Sequence, residues 1–267
     1  MQRWSPAKWR LWAAAAALAV GLLLAQRPPG GGFTYVPEYV PPPPDAGEET
    51  EFYFTRLAYR AETNTRWGEW SWMIDSPKAE RHFIQGLRRM TNLHARSMEK
   101  HFQATDAELF DHPWLYVVEP GQWFLSDQEA VALREYLLRG GFLMTDDFHG
   151  SYEWHVFTQG MQKVFPDRPI VEIEDRDAIF HVLFDLDERF QVPGLQYLYS
   201  GRIAEMDGIE PHWRGIYDDQ GRLMVAINFN MDLGDAWEHA DFPPYPERYT
   251  ALAYRIGINY IIYALTH

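Results

Sequence analysis

Short apolar runs alternate with amphipathic helical segments along most of this chain, and this alternation constrains the fold more than any other feature. The runs at 113–120 and 141–145 are brief and continuously apolar, as expected for parallel strands that are covered on both faces. Alternating apolar residues at 51–59 predict an earlier strand, and two further strands are predicted at 169–174 and 221–230. The chain is therefore predicted to be an α/β protein, a three-layer sandwich with an open, mostly parallel sheet.

Helix boundary signals lie between these strands. A first helix is predicted from Ser76 to His94, with Ser76 as the N-cap and Pro77 as the first helical residue. Ser126 and Glu129 have the spacing of a capping box, and the helix that they begin is predicted to stop at a pair of glycines.

Two more helices are predicted at 151–165 and 246–265. The last one is apolar nearly all round, which predicts that it packs deeply against the sheet. The region 176–220 has weaker periodicity and is interpreted as an inserted loop or a hairpin on one edge.

The first 27 residues have the layout of an export signal. Arg3, Lys8 and Arg10 precede a run of 15 apolar residues at 11–25. This run is shorter than the roughly 20 residues of a spanning helix and matches the core of a signal peptide. Leu23 stands where a small residue would favour cleavage, which favours an uncleaved anchor in the cytoplasmic membrane over a signal peptide. The remainder is expected on the periplasmic or extracytoplasmic side, or secreted if cleavage occurs.

Residues 28–50 are rich in proline and glycine and predict a stiff, extended linker. The exported domain is predicted to occupy residues 51–267.

Composition excludes several classes of function. The chain has 38 acidic and 24 basic residues, a formal net charge of −14, which repels polyphosphate backbones. Nucleic acid is therefore not an expected partner. The chain contains no cysteine, which excludes disulfides, thiolate nucleophiles and cysteine-ligated metals. No GxSxG motif is present either.

Four segments together resemble one bacterial family: FYFTRLAY at 52–59, the stretch 112–150, GRLMVAINFNMDLGDAWE at 221–238, and RIGINYIIYAL at 255–265. That family is catalogued as domain of unknown function 4159, and its members look like the class I glutamine amidotransferase-like fold, a flavodoxin-like sandwich. The resemblance implies this fold and no reaction. A working glutamine amidotransferase carries a cysteine nucleophile on a strand-to-helix turn, so the absence of cysteine excludes that mechanism here, although the scaffold can serve for binding.

Ligands of open α/β sheets bind beyond the carboxyl ends of the strands. This rule predicts that one rim gathers Glu119, Asp146, Asp147, His149, Asn228 and Asn230. Because carboxylates and imidazole suit divalent cations, Asp146, Asp147 and His149 are candidate metal ligands. Successive side chains of an extended chain point to opposite faces, so the two aspartates can share an ion only if the chain turns there. Alternatively, one aspartate caps the next helix and the other is solvated.

The segment 228–239 has the alternating polar spacing of a calcium loop. Leu233 and His239 stand where an EF-hand requires glycine and glutamate, so an EF-hand is excluded. Asp232 and Asp235 remain candidates for the rim, unless Asp235 caps a short helix that begins directly after it.

Trp67, Trp70 and Trp72 are close together in the loop 66–75. Exposed indoles suit stacking on sugars or docking on a protein, whereas buried indoles would only fill the core.

Two functional hypotheses follow. The first is a membrane-tethered, non-catalytic binding or scaffold module that recruits an envelope protein or glycan. The second is a hydrolase in which the rim carboxylates hold a divalent metal that activates water.

Overall fold

The computed structural model describes residues 40–61 and 67–267. The predicted anchor or signal peptide at 1–27 and most of the predicted linker lie outside the described residues. Among the residues that are described, no helix combines the length and the apolar character needed to span a bilayer.

The described residues form nine strands: β1 (Thr55–Leu57), β2 (Arg60–Ala61), β3 (Lys100–Phe102), β4 (Trp114–Val118), β5 (Trp123–Phe124), β6 (Phe142–Asp146), β7 (Val171–Glu172), β8 (His212–Tyr217) and β9 (Leu223–Phe229). They also form six α-helices: α1 (Lys78–Met90), α2 (Asp127–Leu138), α3 (Gly150–Val164), α4 (Tyr197–Ser200), α5 (Leu233–Glu238) and α6 (Glu247–Thr266).

Seven strands form one large sheet in the order β3-β1-β4-β6-β9-β8-β7. The first five are parallel, and β8 and β7 continue the sheet in antiparallel pairing at one edge. Numbered along the chain, the parallel strands have the order 2-1-3-4-5, which is the doubly wound order of flavodoxin-like sheets. The prediction of an α/β chain with an open, mostly parallel sheet is confirmed.

Alternating side chains of the central strands build a core on each face of the sheet. In β4, Trp114 and Tyr116 pack in the core that includes α1, α5 and α6, whereas Leu115 and Val117 pack in the core that includes α2 and α3. The strands are buried on both sides because helices cover both faces, which explains their continuously apolar sequences.

The start of α1 differs from its prediction. The helix begins at Lys78, and Pro77 stands at the N-cap position after a cis peptide bond with Ser76. The backbone oxygen of Asp75 accepts a hydrogen bond from the amide of Ala79. The acceptor for this first-turn amide is therefore a backbone oxygen and not the predicted Ser76 side chain. The capping box of Ser126 with Glu129 is present as predicted.

The region 176–220 supplies one strand of an edge hairpin: its strand β8 pairs antiparallel with β9, which follows the region. The predicted strand at 169–174 is reduced to the two residues of β7. The edge strand β3 was not predicted, since its sequence Lys-His-Phe has neither an apolar run nor a clear alternation.

The end of the predicted linker contacts the domain. The carboxylate of Asp45 accepts hydrogen bonds from Arg88 and from the amide of Ser97, and Arg96 donates to the backbone oxygen of Ala46. Residues 45 and 46 are thus held against α1 and the segment that follows it.

Candidate functional site

A cavity of about 380 Å³ opens beyond the carboxyl ends of the parallel strands. It lies at the point where the chain leaves β1 toward one face of the sheet and leaves β4 toward the other, which is the usual ligand position in such sheets. Seven carboxylates line it: Asp75, Glu119, Asp147, Glu205, Asp232, Asp235 and Glu238. Within the described part of the chain, no lysine or arginine is among its lining residues. We call it the acidic cavity.

A larger open groove of about 520 Å³ lies between α1 and α6. Among the described residues, it brings together no three acidic or histidine ligand atoms. The acidic cavity is therefore the candidate site.

Three of the acidic residues that line the cavity lie at backbone turns, Glu119 and Asp147 directly after strands and Asp75 after the 3-10 helix Gly68–Met73. Asp75, Glu119 and Asp147 have left-handed backbone conformations, with φ of 66°, 52° and 53°. Such angles are uncommon for residues other than glycine, and clusters of them are typical of functional sites. The turn at Asp147 comes directly after β6. The sequence analysis required such a turn for Asp147 to leave the strand direction, and the chain does turn there.

Asp146 and Asp147 have different surroundings. One carboxylate oxygen of Asp146 accepts hydrogen bonds from the amides of Leu233 and Gly234, at 2.9 Å each, and from the Tyr116 hydroxyl at 3.0 Å. Burial, together with the charge of Asp147, raises the pKa of Asp146 to about 8. Asp146 therefore supports the start of α5 and does not cap the next helix along the chain, α3. Asp147 is only 8% exposed, so it is not solvated. The alternative of one capping and one solvated aspartate is wrong for both residues.

Asp75, Asp147 and Asp232 form a buried carboxylate triad. One oxygen of each lies within 4.8 Å of the others. Burial and then neighbouring carboxylates raise the pKa of Asp75 and of Asp232 well above the usual range. The Oδ2 atom of Asp75 has no hydrogen-bonding partner among the described residues. Two like charges about 4 Å apart repel by on the order of 4 kcal/mol at an effective dielectric constant near 20, so the triad requires protons or a cation.

A second group, which we call the histidine group, consists of Asp147, His149 and Glu205. The Nε2 atom of His149 lies 3.2 Å from Oδ1 of Asp147 and 4.0 Å from Oε1 of Glu205. Burial alone would lower the pKa of His149, but the hydrogen bond and charge of Asp147 outweigh it and raise this pKa. The Nδ1 atom is buried and has no partner among the described residues. Of the three predicted metal ligands, the structure thus brings Asp147 and His149 together and leaves Asp146 in another role.

A third group consists of Asp235, Glu238 and His239. His239 lies 3.4 Å from Asp235, which also accepts a hydrogen bond from the amide of Leu195. Burial would raise the pKa of Asp235, but His239 outweighs it and lowers this pKa. The alternative in which Asp235 caps a short helix is wrong, because α5 starts at residue 233 and Asp235 lies inside it. The cap is Asp232, whose Oδ1 accepts a hydrogen bond from the Asp235 amide.

The remaining polar candidates are engaged by protein groups. Glu119 lines the cavity and accepts hydrogen bonds from Trp67 and Gln122. Asn228 donates to the backbone of Thr145 and accepts from Tyr260, inside the core. Asn230 accepts from the amide of Gly150 and so supports the start of α3. Neither asparagine is among the residues that line the acidic cavity.

The three tryptophans separate into two environments. Trp67 lines the cavity. Trp70 is 40% exposed, and its ring lies 6.5 Å from that of Trp72, which packs on the ring of His101. Trp70 and Trp72 form a surface patch outside the cavity.

Sequence reasoning missed Asp75, Glu205, Glu238 and His239 as members of the site. Asp75 lies beyond β2 and the 3-10 helix Gly68–Met73, too far from the end of β1 for the strand-end rule to indicate it. Glu205 lies in the region without periodicity, and no sequence signal indicated its position.

A family model described as Domain of unknown function (DUF4159) matches residues 54–265. This match covers most of the chain and confirms the resemblance at the level of the family. The chain has no match among curated proteins.

Proposed function

We propose that this chain, which belongs to the DUF4159 family, is a divalent-cation-binding module on an amidotransferase-like scaffold. The observation that carries the proposal is the carboxylate triad of Asp75, Asp147 and Asp232, buried at the carboxyl ends of the strands. Oxygen ligands of this kind suit hard cations such as Mg²⁺, Ca²⁺ and Mn²⁺.

Support for a cation comes from what surrounds the triad. In the described part of the cavity, the lining supplies no basic side chain except His239, which pairs with Asp235. Gly194 and Gly234 let the backbone approach the carboxylates closely. A β-carbon at Gly194 would come 2.4 Å from Oδ2 of Asp232, and one at Gly234 would come 2.2 Å from Oδ2 of Asp75.

The proposed scaffold is used here without glutamine hydrolysis, because the chain contains no cysteine. The strand order 2-1-3-4-5 supports a flavodoxin-like arrangement, to which the amidotransferase-like fold belongs. Asp147 occupies a left-handed strand-to-helix turn between β6 and α3. An amidotransferase carries its cysteine nucleophile on a turn of this kind, and this chain has a carboxylate there that serves as a cation ligand.

Cation titration tests this function. We expect the full chain, stripped with a chelator, to bind Mg²⁺, Ca²⁺ or Mn²⁺ by calorimetry, and Asp75→Asn and Asp232→Asn to weaken binding at least tenfold. Glu174→Gln, which changes an exposed acid outside the cavity, is the control. Absence of binding by any of these ions to the folded wild-type chain would overturn the proposal.

We also propose where the module works. Residues 11–25 would tether it to the cytoplasmic membrane with the domain on the extracytoplasmic side, and the patch of Trp70 and Trp72 would recruit an envelope protein or glycan. Protease digestion of intact spheroplasts tests the orientation, since only an external domain is degraded. Loss of co-purifying protein or glycan in Trp70→Ala tests the patch.

A metal-dependent hydrolase is the second candidate. The observation that favours it is the open space of about 380 Å³ next to Asp147, which is enough for a small substrate. The Asp147 carboxylate in turn contacts the imidazole of His149. A bound cation would make water a better nucleophile at neutral pH. Cation-dependent turnover of ester or phosphoester substrates that is lost in Asp147→Asn would support it, and a cation-loaded chain without turnover would leave only the binding function.

A further inference from the structure

We infer that the acidic cavity takes two divalent cations that share the carboxylate of Asp147. This inference rests on the proposed function and extends it. Asp147 belongs both to the carboxylate triad with Asp75 and Asp232 and to the histidine group with His149 and Glu205. A carboxylate has two oxygens and can therefore bridge two ions.

The first position is formed by oxygen atoms alone. Asp75 is 8% exposed and lines the cavity, and no described residue donates a hydrogen bond to its Oδ2. A buried carboxylate oxygen without a donor is costly unless a cation or a proton compensates it. Asp232 uses Oδ1 to accept from the Asp235 amide, and its Oδ2 lies on the side of Gly194 near the cavity.

The second position contains a nitrogen atom. Nε2 of the buried His149 lies between carboxylate oxygens of Asp147 and Glu205, at 3.2 and 4.0 Å. The other ring nitrogen, Nδ1, has no partner among the described residues, so the contact of Nε2 with Asp147 is the one hydrogen bond of the ring in this part of the chain. A simple His149–Asp147 ion pair is the competing explanation, and the test below separates the two.

The formal charge of the carboxylate triad and the histidine group supports two cations. The two groups together contain four carboxylates, Asp75, Asp147, Asp232 and Glu205, whose formal charge of −4 equals the opposite of two divalent ions. The third group does not require an ion, because Asp235 already pairs with His239 and with the Leu195 amide.

The ligand types assign different preferences to the two positions. Three carboxylates favour Mg²⁺, Ca²⁺ or Mn²⁺ at the first position, whereas a histidine with two carboxylates favours Mn²⁺ or Zn²⁺ at the second. Mn²⁺ suits both sets, so it is the probe for the test.

The test is to count Mn²⁺ bound to the chelator-treated full chain and to record its electron paramagnetic resonance spectrum. We expect two ions per wild-type chain with a spin-coupled spectrum. His149→Ala and Glu205→Gln should each leave one uncoupled ion, and Asp75→Asn should also leave one. Glu174→Gln, which changes an exposed acid outside the cavity, should leave two coupled ions. Circular dichroism checks that each variant is folded, and Glu205→Gln keeps the test valid if His149→Ala does not fold.

The other possible results distinguish failure of the two-cation site from failure of the proposed cation-binding function. One ion per wild-type chain, unaffected by His149→Ala and Glu205→Gln, would overturn the second position and retain the proposed function. Two ions without spin coupling would overturn the shared carboxylate. No bound ion would overturn both proposals.

Discussion

Gly234 lies directly against the carboxylate of Asp75, so that a β-carbon added at residue 234 would come 2.2 Å from Oδ2. Asp75 follows the 3-10 helix Gly68–Met73, whereas Gly234 is in the first turn of α5. Two distant parts of the chain thus place this carboxylate.

Gly234→Ala is therefore expected to displace the Asp75 side chain, because 2.2 Å is much shorter than a van der Waals contact. Calorimetric titration with Mg²⁺ should show affinity reduced by roughly tenfold, about 1.4 kcal/mol. Gly47→Ala is the matched control, since nothing lies within 4 Å of a β-carbon at residue 47. Equal affinities of the two variants would show that Asp75 is not a ligand.

Asp146→Ala is expected to affect stability and not the number of bound cations. The change leaves the buried amides of Leu233 and Gly234 and the Tyr116 hydroxyl without their acceptor, at a cost of roughly 2–4 kcal/mol in the free energy of unfolding. Asp146→Asn keeps one acceptor oxygen and should cost less. Urea denaturation measures both variants, and loss of a bound ion from folded Asp146→Asn would contradict this separation of roles.

Arg56 and Glu80 form an ion pair that is fully buried beside the site. Arg56 also donates to the backbone oxygens of Trp72 and Ile74, which holds the loop that leads to Asp75. Glu80→Gln leaves the guanidinium buried without its counter-charge and is expected to cost about 3–5 kcal/mol in the free energy of unfolding.

The double variant Arg56→Met, Glu80→Leu removes both charges and should lose less stability than the two single changes added together. Urea denaturation of the four proteins gives this coupling. Additive losses would mean that the two side chains do not stabilise each other.

The contact of Asp45 with the domain is expected to depend on pH. Burial opposes the charged form, but the hydrogen bonds from Arg88 and Ser97 outweigh it and lower the pKa of Asp45 to about 2. The folded-state pKa is below the unfolded value of about 3.9, so the contribution is complete above pH 4 and is lost as the pH falls toward 2.

Asp45→Asn should therefore lower the free energy of unfolding by about 1–2 kcal/mol at pH 7, after allowance for solvent screening, and by little at pH 2. Denaturation curves at the two pH values measure this difference. A loss that is the same at both would show that charge at Asp45 does not stabilise the domain.

Local sequence patterns were sufficient to predict the central strands and helices of the fold. The strands β4, β6 and β9 are apolar because both faces of the sheet are covered, and the Ser126–Glu129 capping box depends only on residues three apart. The edge strand β3 escaped prediction because a three-residue strand at an edge needs no apolar run and takes its conformation from pairing with β1.

The class of the fold and the edge of the sheet where a site would lie could be predicted from hydrophobic periodicity and from the residues that follow each strand, and the family from the resemblance of four segments. Which acids converge depends on contacts between distant parts of the chain. Asp147 and Asp232 meet because β6 and β9 are neighbouring strands that end at the same edge, and the segment after the 3-10 helix Gly68–Met73 brings Asp75 to them. Strand order depends on long-range packing that no local pattern encodes. The separate roles of Asp146 and Asp147 have the same origin: the left-handed turn at Asp147 and the position of α5 above β6 are set by contacts between distant segments.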